Sequence, residues 1–140
     1  MTREPPGEAP DDPLDRGVSE FGELLAKLIE ATPGAYGAVL SDGVDDTIDT
    51  AYRPAEISAI DVSILGAQVG QPMTRLNISA IIFGLGRPQV VIEAGESVLI
   101  SKVLWDRYLL TLAVHGQHAN IARAMRDFDE TAVEVLALLR

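Results

Sequence analysis

The sequence predicts a single α/β domain whose elements follow the order α-β-β-α-β-β-β-α. Three observations support this prediction. A Pro-Gly step ends an early helix, a long central segment has helical periodicity, and three short apolar segments precede a closing amphipathic helix. With 140 residues, the chain is long enough to bury roughly two thirds of the surface that it would expose when unfolded.

The composition indicates a core that needs neither disulfides nor a structural metal. Hydrophobic residues make up 47% of the chain, and cysteine is absent. The absence of cysteine excludes a disulfide framework, a thiolate nucleophile and cysteine-ligated zinc. No apolar run reaches the roughly 18 residues of a membrane-spanning helix, and the first residues do not resemble a signal peptide. We therefore expect a cytoplasmic protein that is not inserted in a membrane.

The net charge of −10 is unevenly distributed along the chain. Residues 1–61 contain 14 acidic and 4 basic side chains, whereas residues 62–140 contain seven of each. Nucleic acid and anionic lipid bind proteins through Lys and Arg, so neither is expected as a partner. A basic protein would be steered towards the acidic half, although these charges could also serve only to keep the protein soluble.

The first 16 residues differ from the rest in composition. They contain four of the eight prolines, five acidic residues and a single large aliphatic side chain, Leu14. Such a segment buries too little apolar surface to offset its ordering entropy. We predict a disordered, acidic, proline-rich tail over residues 1–16 and a folded domain over residues 17–140.

The first helix and hairpin are predicted from caps and turns. Ser19 is a suitable N-cap, apolar residues then recur at helical spacing, and Thr32-Pro33-Gly34 ends the helix. Residues 35–40 and 47–52 are predicted strands, joined by a turn in which Gly43 supplies a positive φ. The apolar face of this helix consists of Phe21, Leu24, Leu25, Leu28 and Ile29.

A long helix is predicted over residues 54–83, with Pro54 in its first turn. It has two apolar stripes, whereas a helix packed on a sheet needs only one; the second stripe therefore predicts contact with another protein. Pro72 is expected to kink or split the helix, and residues 78–82 would suit a strand by propensity. The first stripe consists of Val62, Leu65, Val69, Met73, Leu76, Ala80 and Phe83. The second consists of Ile57, Ile60, Ile64, Ile78 and Ile82, interspersed with Asp61, Gln68, Gln71 and Arg75.

Three strands and a helix complete the predicted order. Residues 89–94 and 97–104 form a hairpin around Gly95, and residues 108–114 form a further strand. Trp105, in the turn between the last two strands, suits an exposed interface anchor or a side chain folded over the core edge. The closing helix starts at about Gln117, and its apolar stripe consists of Ile121, Met125, Phe128, Ala132, Val135, Leu136 and Leu139.

No pattern in the sequence predicts an active site. Gly84 and Gly86 lack the GxxxxGK[ST] context of a phosphate-binding loop, so they are interpreted as a helix end. His115 and His118 lack the further ligands of a zinc site. We expect no enzyme activity, no nucleotide binding, no metal and no cofactor. Four aspartates lack EF-hand spacing and are interpreted as a solvated hairpin turn: Asp42, Asp45, Asp46 and Asp49. Three serines lack a GxSxG context and are interpreted as ordinary turn or helix residues: Ser41, Ser79 and Ser97.

Several of these segments together resemble the roadblock/LC7 domain family. They are TPGAYGAVLSDG, GLGRPQVVIEAGESVLISKVL and YLLTLAV, and DGVDDTIDTA is similar to the DxxGExVDxA hairpin of one bacterial branch. The resemblance covers about residues 17–140. It implies a five-stranded antiparallel sheet sandwiched between the long helix and the two terminal helices. It also implies a homodimer, with long helices side by side, that pairs through a strand containing Gln89, Val90, Val91, Ile92 and Glu93.

The resemblance further implies a non-enzymatic regulator. Bacterial members of the family bind a Ras-like polarity GTPase on their paired long helices and reposition the GTPase's own loops without an arginine finger. The resemblance leaves open whether the regulator activates hydrolysis, promotes nucleotide exchange or acts as a scaffold. Two other functions are also open: a structural adaptor of a motor or signalling complex, and a small-molecule or peptide sensor of the related profilin-like folds. The expected partner-binding residues are Ile57, Ile60, Asp61, Ile64, Gln68, Gln71 and Arg75.

Overall fold

The computed structural model describes residues 13–43, 46–117 and 120–140. The observed order of elements confirms the predicted α-β-β-α-β-β-β-α arrangement. The elements are α1 (Glu20–Ala31), β1 (Ala35–Asp42), β2 (Asp46–Tyr52), α2 (Ala59–Ile82), β3 (Gln89–Ala94), β4 (Ser97–Leu104), β5 (Tyr108–His115) and α3 (Ile121–Leu138).

The five strands form one antiparallel sheet in the order β2-β1-β5-β4-β3. The two hairpins, β1–β2 and β3–β4, therefore lie at opposite sides of the sheet, and β5 joins them in the middle. The connection between the hairpins is α2, which crosses one face of the sheet. As a result β3, the strand that follows α2, is an edge strand, with β4 as its single neighbour among the described strands.

Both faces of the sheet are apolar. Successive side chains of a strand point to opposite faces, so consecutive apolar residues of one strand supply both of them. In β4, Ile100 packs with α1 and α3 in the larger core, which also contains Leu25 and Phe128. Leu99 points the other way and packs under α2, beside Met73. The sheet is thus covered by α2 on one face and by the two terminal helices on the other, as predicted.

The start of α1 is fixed by a buried carboxylate as well as by its N-cap. Ser19 is the N-cap, as predicted. The Asp49 side chain on β2 accepts hydrogen bonds from the Ser19 N–H (2.8 Å) and hydroxyl (2.5 Å) and from the Val18 N–H (3.1 Å). The prediction that Asp49 belongs to a solvated turn is therefore wrong: its side chain is buried because it binds the free N–H groups that precede the helix.

Contacts of the domain begin before the predicted boundary at Gly17. Asp15 and Tyr52 exchange two backbone hydrogen bonds, of 2.8 and 3.1 Å. Arg16 donates to Glu23 and Glu30 of α1, and these bonds hold the pKa of both carboxyls below the usual value. Residues 13–16 are therefore attached to the domain by hydrogen bonds and ion pairs. The rest of the predicted tail, residues 1–12, lies outside the described residues.

The long helix begins later than predicted. Pro54 lies in a separate turn, closed by a 2.8 Å hydrogen bond from the Glu56 N–H to the Arg53 carbonyl. Ser58 is the N-cap of α2, and its hydroxyl accepts the Asp61 N–H. Because this cap satisfies a donor of the first turn, the helix starts at residue 59.

The interior and end of α2 also differ from expectation. The helix is continuous through the exposed Pro72, so the proline does not split it. Residues 78–82 are helical despite their β-branched composition, and Ala80 is buried on the inner face of the helix. Phe83 is the C-cap, and Gly84 follows with a φ of 72° that turns the chain away from the helix axis.

The closing helix α3 starts at Ile121 rather than near Gln117. Its N-cap is Asn120, whose side chain accepts the Arg123 N–H at 3.0 Å. The predicted apolar stripe is confirmed, because all of its members lie in or against the larger core. His118 and Ala119 lie outside the described residues.

Candidate protein-interaction surface

One side of α2 is tightly packed on the sheet. Val62, Val69 and Met73 are buried there. A Cβ atom at Gly66 would come within 3.0 Å of both the Val39 side chain and the Ser41 hydroxyl. Glycine at this position therefore lets the helix axis lie close to β1.

The first predicted stripe of α2 is only partly buried. Leu76 and Phe83 were predicted to face the sheet, but they are 44% and 75% exposed. Phe83 follows the last helical residue, so helical spacing no longer determines its direction. Leu76 is left uncovered because the main contacts of α2 are with β1, β2, β5 and β4, away from the β3 edge. Part of this sheet face beside the β3 edge is uncovered, since Ile92 is 39% exposed there.

Six of the seven predicted partner-binding residues lie on the solvent-exposed side of α2. The seventh, Ile57, precedes the helix and is half-buried, with a methyl group against Gly37 of β1. Ile57 is therefore a packing residue, because the late start of the helix removes it from the outer stripe. The six exposed residues are Ile60, Asp61, Ile64, Gln68, Gln71 and Arg75.

Large apolar side chains continue the exposed surface beyond these six residues. Ile78 and Ile82 belong to the second predicted stripe, and both are exposed. Ile81 and Leu85 are also exposed, and sequence periodicity did not assign either of them to a site. The sequence does contain a signal for this patch, since four large apolar residues lie close together at the end of the helix and in the loop after it. Exposed apolar residues are usually scattered singly over a surface, so such a cluster indicates an interaction site.

The edge strand β3 matches the predicted dimer strand, residues 89–94. Val103 donates its N–H to the Pro88 carbonyl at 3.2 Å, so these two residues form a hydrogen-bonded pair of the β3–β4 ladder. Hydrogen-bonded and non-hydrogen-bonded pairs alternate in antiparallel sheets. The N–H and C=O groups of Val90 and Ile92 therefore point to β4, whereas those of Val91 point outward from the edge.

A cavity of about 380 Å³ separates the second half of α2 from the ends of the hairpins. Its walls include Met73, Val103 and the side chain of Asn77, which is only 7% exposed. Among the described residues, the Asn77 Oδ1 atom is the buried side-chain oxygen without a hydrogen-bond partner. Thr74, also in the wall, uses its hydroxyl hydrogen on the Gly70 carbonyl.

The turn between β4 and β5 borders this cavity. Trp105 and Asp106 both have positive φ angles, of 59° and 87°. Trp105 is partly exposed. It is therefore intermediate between the two arrangements considered from the sequence, an exposed interface anchor and a side chain folded over the core edge. Asp106 pairs with Arg87, and Arg107 forms two 2.8 Å hydrogen bonds with Asp42. These pairs join the turn to the loop before β3 and to β1.

Two further candidate residues, His115 and Ser97, take part in structural contacts, whereas Asp45 lies outside the described residues. His115 stacks on Tyr36 with ring centroids 4.3 Å apart, and its Nε2 atom contacts the Glu56 carboxylate. The Tyr36 hydroxyl is 2.6 Å from the Ser97 hydroxyl. No three His, Cys, Asp or Glu side chains of residues 13–43, 46–117 and 120–140 are grouped as metal ligands. In the same ranges, no helix has the length and apolar character needed to cross a bilayer.

A five-stranded antiparallel sheet, with one long helix on one face, two terminal helices on the other and an open edge after the long helix, defines the roadblock/LC7 fold. The chain has this fold. No protein-family model matches its sequence, and no curated protein does. The similarity is therefore one of three-dimensional structure.

Three solved structures show this similarity. The roadblock/LC7 domain from Streptomyces avermitilis has a TM-score of 0.70 and 18% identity, covering 84% of this chain and 95% of that chain. Myxococcus xanthus MglB has a TM-score of 0.70 and 16% identity, covering 87% and 91%. The gliding protein MglB from Thermus thermophilus has a TM-score of 0.69 and 19% identity, covering 84% and 85%. At identities this low, the TM-scores show a common fold and no more.

Proposed function

We propose that this chain is a homodimeric member of the roadblock/LC7 family that regulates a Ras-like small GTPase without being an enzyme itself. The observation that carries the proposal is the exposed outer side of α2. Six predicted partner-binding residues lie there, and a helix that served only the core would present polar side chains instead. The similarity in fold to two MglB proteins supports the same assignment.

The proposed dimer pairs two copies through β3. An unpaired edge with outward-facing Val91 is prone to associate with other strands. Pairing two β3 strands would satisfy the outward N–H and C=O groups and extend the sheet across both copies. It would also bring a second α2 towards Leu76 and the uncovered sheet face beside β3. Mixed apolar and polar residues on the outer side of both helices suit a separable protein interface.

The charges of α2 provide the test of GTPase docking. Asp61 and Arg75 are the only charged residues of the helix, and both are exposed. We expect Asp61→Arg or Arg75→Glu to weaken binding of the GTPase by about 1–3 kcal/mol, because each would place a like charge against a complementary partner surface. Binding is measured by calorimetry with the purified partner GTPase, loaded in turn with GDP and with a GTP analogue.

The matched control is Glu130→Arg, an exposed reversal on α3 at the opposite face of the sheet. Circular dichroism and sizing should be unchanged in all three variants. If both α2 variants bind the GTPase like the wild type, the partner docks elsewhere, and the acidic first half of the chain becomes the next candidate surface.

Rates of GTP hydrolysis and nucleotide exchange, measured with and without this protein, separate the regulatory roles. Faster hydrolysis identifies an activator and faster exchange an exchange factor. Binding with both rates unchanged identifies a scaffold. No binding to either nucleotide state favours the structural adaptor.

A further inference from the structure

The outermost line of α2 has a symmetry that GTPase docking does not require. We name Ile60, Ile64, Gln71, Ile78 and Ile82 the α2 crest. At 100° per residue these five positions lie within about 40° of one another, on the side opposite the sheet. The four isoleucines are 71%, 45%, 53% and 71% exposed, in chain order.

The residue types of the crest read the same in both directions. Ile60 and Ile82 are each 11 residues from Gln71, and Ile64 and Ile78 are each seven residues from it. A two-fold axis through Gln71 would place Ile60 opposite Ile82 of a second copy and Ile64 opposite Ile78. An isologous interface has this property, because residue i contacts j while j contacts i.

We propose that the α2 crest is a self-association surface, on which a second copy of this chain docks with its own α2 antiparallel and a two-fold axis at Gln71. At the axis the two Gln71 amides face each other. A primary amide carries both donors and an acceptor, so two copies can exchange reciprocal hydrogen bonds. On either side of them, isoleucine meets isoleucine.

Charge also favours a second copy as the occupant. The crest itself contains no charged residue, and residues 62–140 have no net charge, whereas the −10 of the chain lies in residues 1–61. Two copies therefore meet on this surface without like charges opposed. A charged partner would instead be recognised through Asp61 and Arg75 beside the crest.

The crest contact differs from the proposed β3 pairing. Edge pairing places helices side by side on one continuous sheet, whereas the crest faces away from that sheet. Both contacts together would join four chains. Because Ile60, Ile64 and Gln71 also belong to the proposed GTPase surface, self-association and GTPase docking would compete. This competition rests on the proposed function, but the crest contact does not.

Cysteine cross-linking tests the register directly, since the chain contains no cysteine. Antiparallel helices packed about 8–10 Å apart bring facing Cα atoms to roughly 5 Å, within reach of a disulfide. Gln71→Cys should therefore cross-link to itself under mild oxidation. Ile64→Cys alone should not, because its two copies would lie about 21 Å apart, at about 1.5 Å per residue. Mixed with Ile78→Cys, it should form a heterodimer.

A cysteine introduced by Val133→Cys, at an exposed position on α3, is the control for random collision. A failure of Gln71→Cys to cross-link above this control would overturn the proposal. So would efficient cross-linking of Ile64→Cys to itself, because that outcome requires a different register.

Val91→Pro separates the crest contact from edge pairing. It removes an outward N–H of β3 and leaves the β3–β4 ladder intact. Combined with Gln71→Cys, it should retain the cross-link if the crest is a separate interface. Loss of the cross-link in this folded double variant would assign the contact to the edge-paired dimer and overturn the proposal. Where both contacts form, light scattering on the wild type at high concentration should show a mass near four times the 15.0 kDa of one chain.

GTPase binding is read separately from these cross-links. A normal cross-link without any GTPase binding refutes the proposed function and leaves the crest contact standing. If the cross-linked Gln71→Cys protein binds the GTPase as well as its reduced form, the competition is refuted.

Discussion

At the scale of single residues, Asp49 shows how one side chain joins separate parts of the chain. It lies on β2, yet its carboxylate binds the backbone of Val18 and Ser19, about 30 residues earlier. The contacts attach α1 to the edge of the sheet that does not take part in the proposed pairing. A charged acceptor is suitable because the N-terminal end of a helix carries partial positive charge.

Replacing this carboxylate should therefore destabilise the fold. We expect Asp49→Ala to lower the free energy of unfolding by about 1–3 kcal/mol, because the Val18 and Ser19 N–H groups would lose a charged acceptor. Urea denaturation followed by circular dichroism at fixed protein concentration measures the change. Asp46→Ala, at the exposed start of the same strand, is the control. Equal stability of the two variants would contradict the anchoring role.

At the scale of elements, α2 has uncovered apolar side chains, and β3 has backbone groups at its outer edge that no other described strand pairs. The main contacts of the helix are with four of the five strands, and within the described sheet β3 is hydrogen-bonded to β4 alone. Ile92 is paired with Leu99 and lies on the same face of the sheet, the face covered by α2. Leu99 is buried there, whereas Ile92 is partly exposed. These uncovered groups are neighbours in space, so one partner could cover the edge and the adjacent face together.

The prediction for edge pairing rests on the alternating direction of the backbone N–H groups along β3. Val91→Pro should convert the proposed edge-paired dimer to a form without that contact, because proline removes a donor that points outward. Static light scattering measures the mass across a concentration series.

Two comparison variants sharpen this test. Val91→Ala keeps the N–H and should retain the edge contact. Ile92→Pro removes a donor that points to β4 and should destabilise the domain itself. An unchanged mass for Val91→Pro, at all concentrations, would rule out this strand as an interface unless the crest contact alone accounts for that mass. The Gln71→Cys cross-link distinguishes the two cases.

At the scale of the whole molecule, the glycine-rich segment after α2 does not have the geometry of a phosphate-binding loop. The glycines at 84 and 86 lie in a loop after α2, and Gly84 has the left-handed conformation of a helix end. Phosphate-binding loops instead precede the start of a helix, whose N–H groups bind the anion.

The isolated protein is therefore expected to bind neither GTP nor ATP and to hydrolyse neither. Calorimetric titration with each nucleotide, in the presence of magnesium, should give only heats of dilution. A nucleotide-free Ras-like GTPase at the same concentration provides the positive control. Saturable binding to this chain alone would contradict the regulatory function proposed here.

The order and type of all eight elements could be predicted from the sequence, because they depend on local chemistry. Ser19 caps a helix, Thr32-Pro33-Gly34 ends it, and Gly95 joins two strands whose bounds match the prediction. Such signals act over a few residues, so they can be recognised without knowing what packs where. The outer stripe of α2 was predictable for the same reason, since helical periodicity is local.

Other features depend on residues that are distant in sequence, and only the tertiary structure decided them. Asp49 resembles a turn aspartate until α1 is placed against it, and Ile57 resembles a helix residue until Gly37 is beside it. Leu76 has the spacing of a core residue, but its exposure follows from how far α2 extends across the sheet. Periodicity gives the direction of a side chain from its own helix, whereas burial also requires an element on that side.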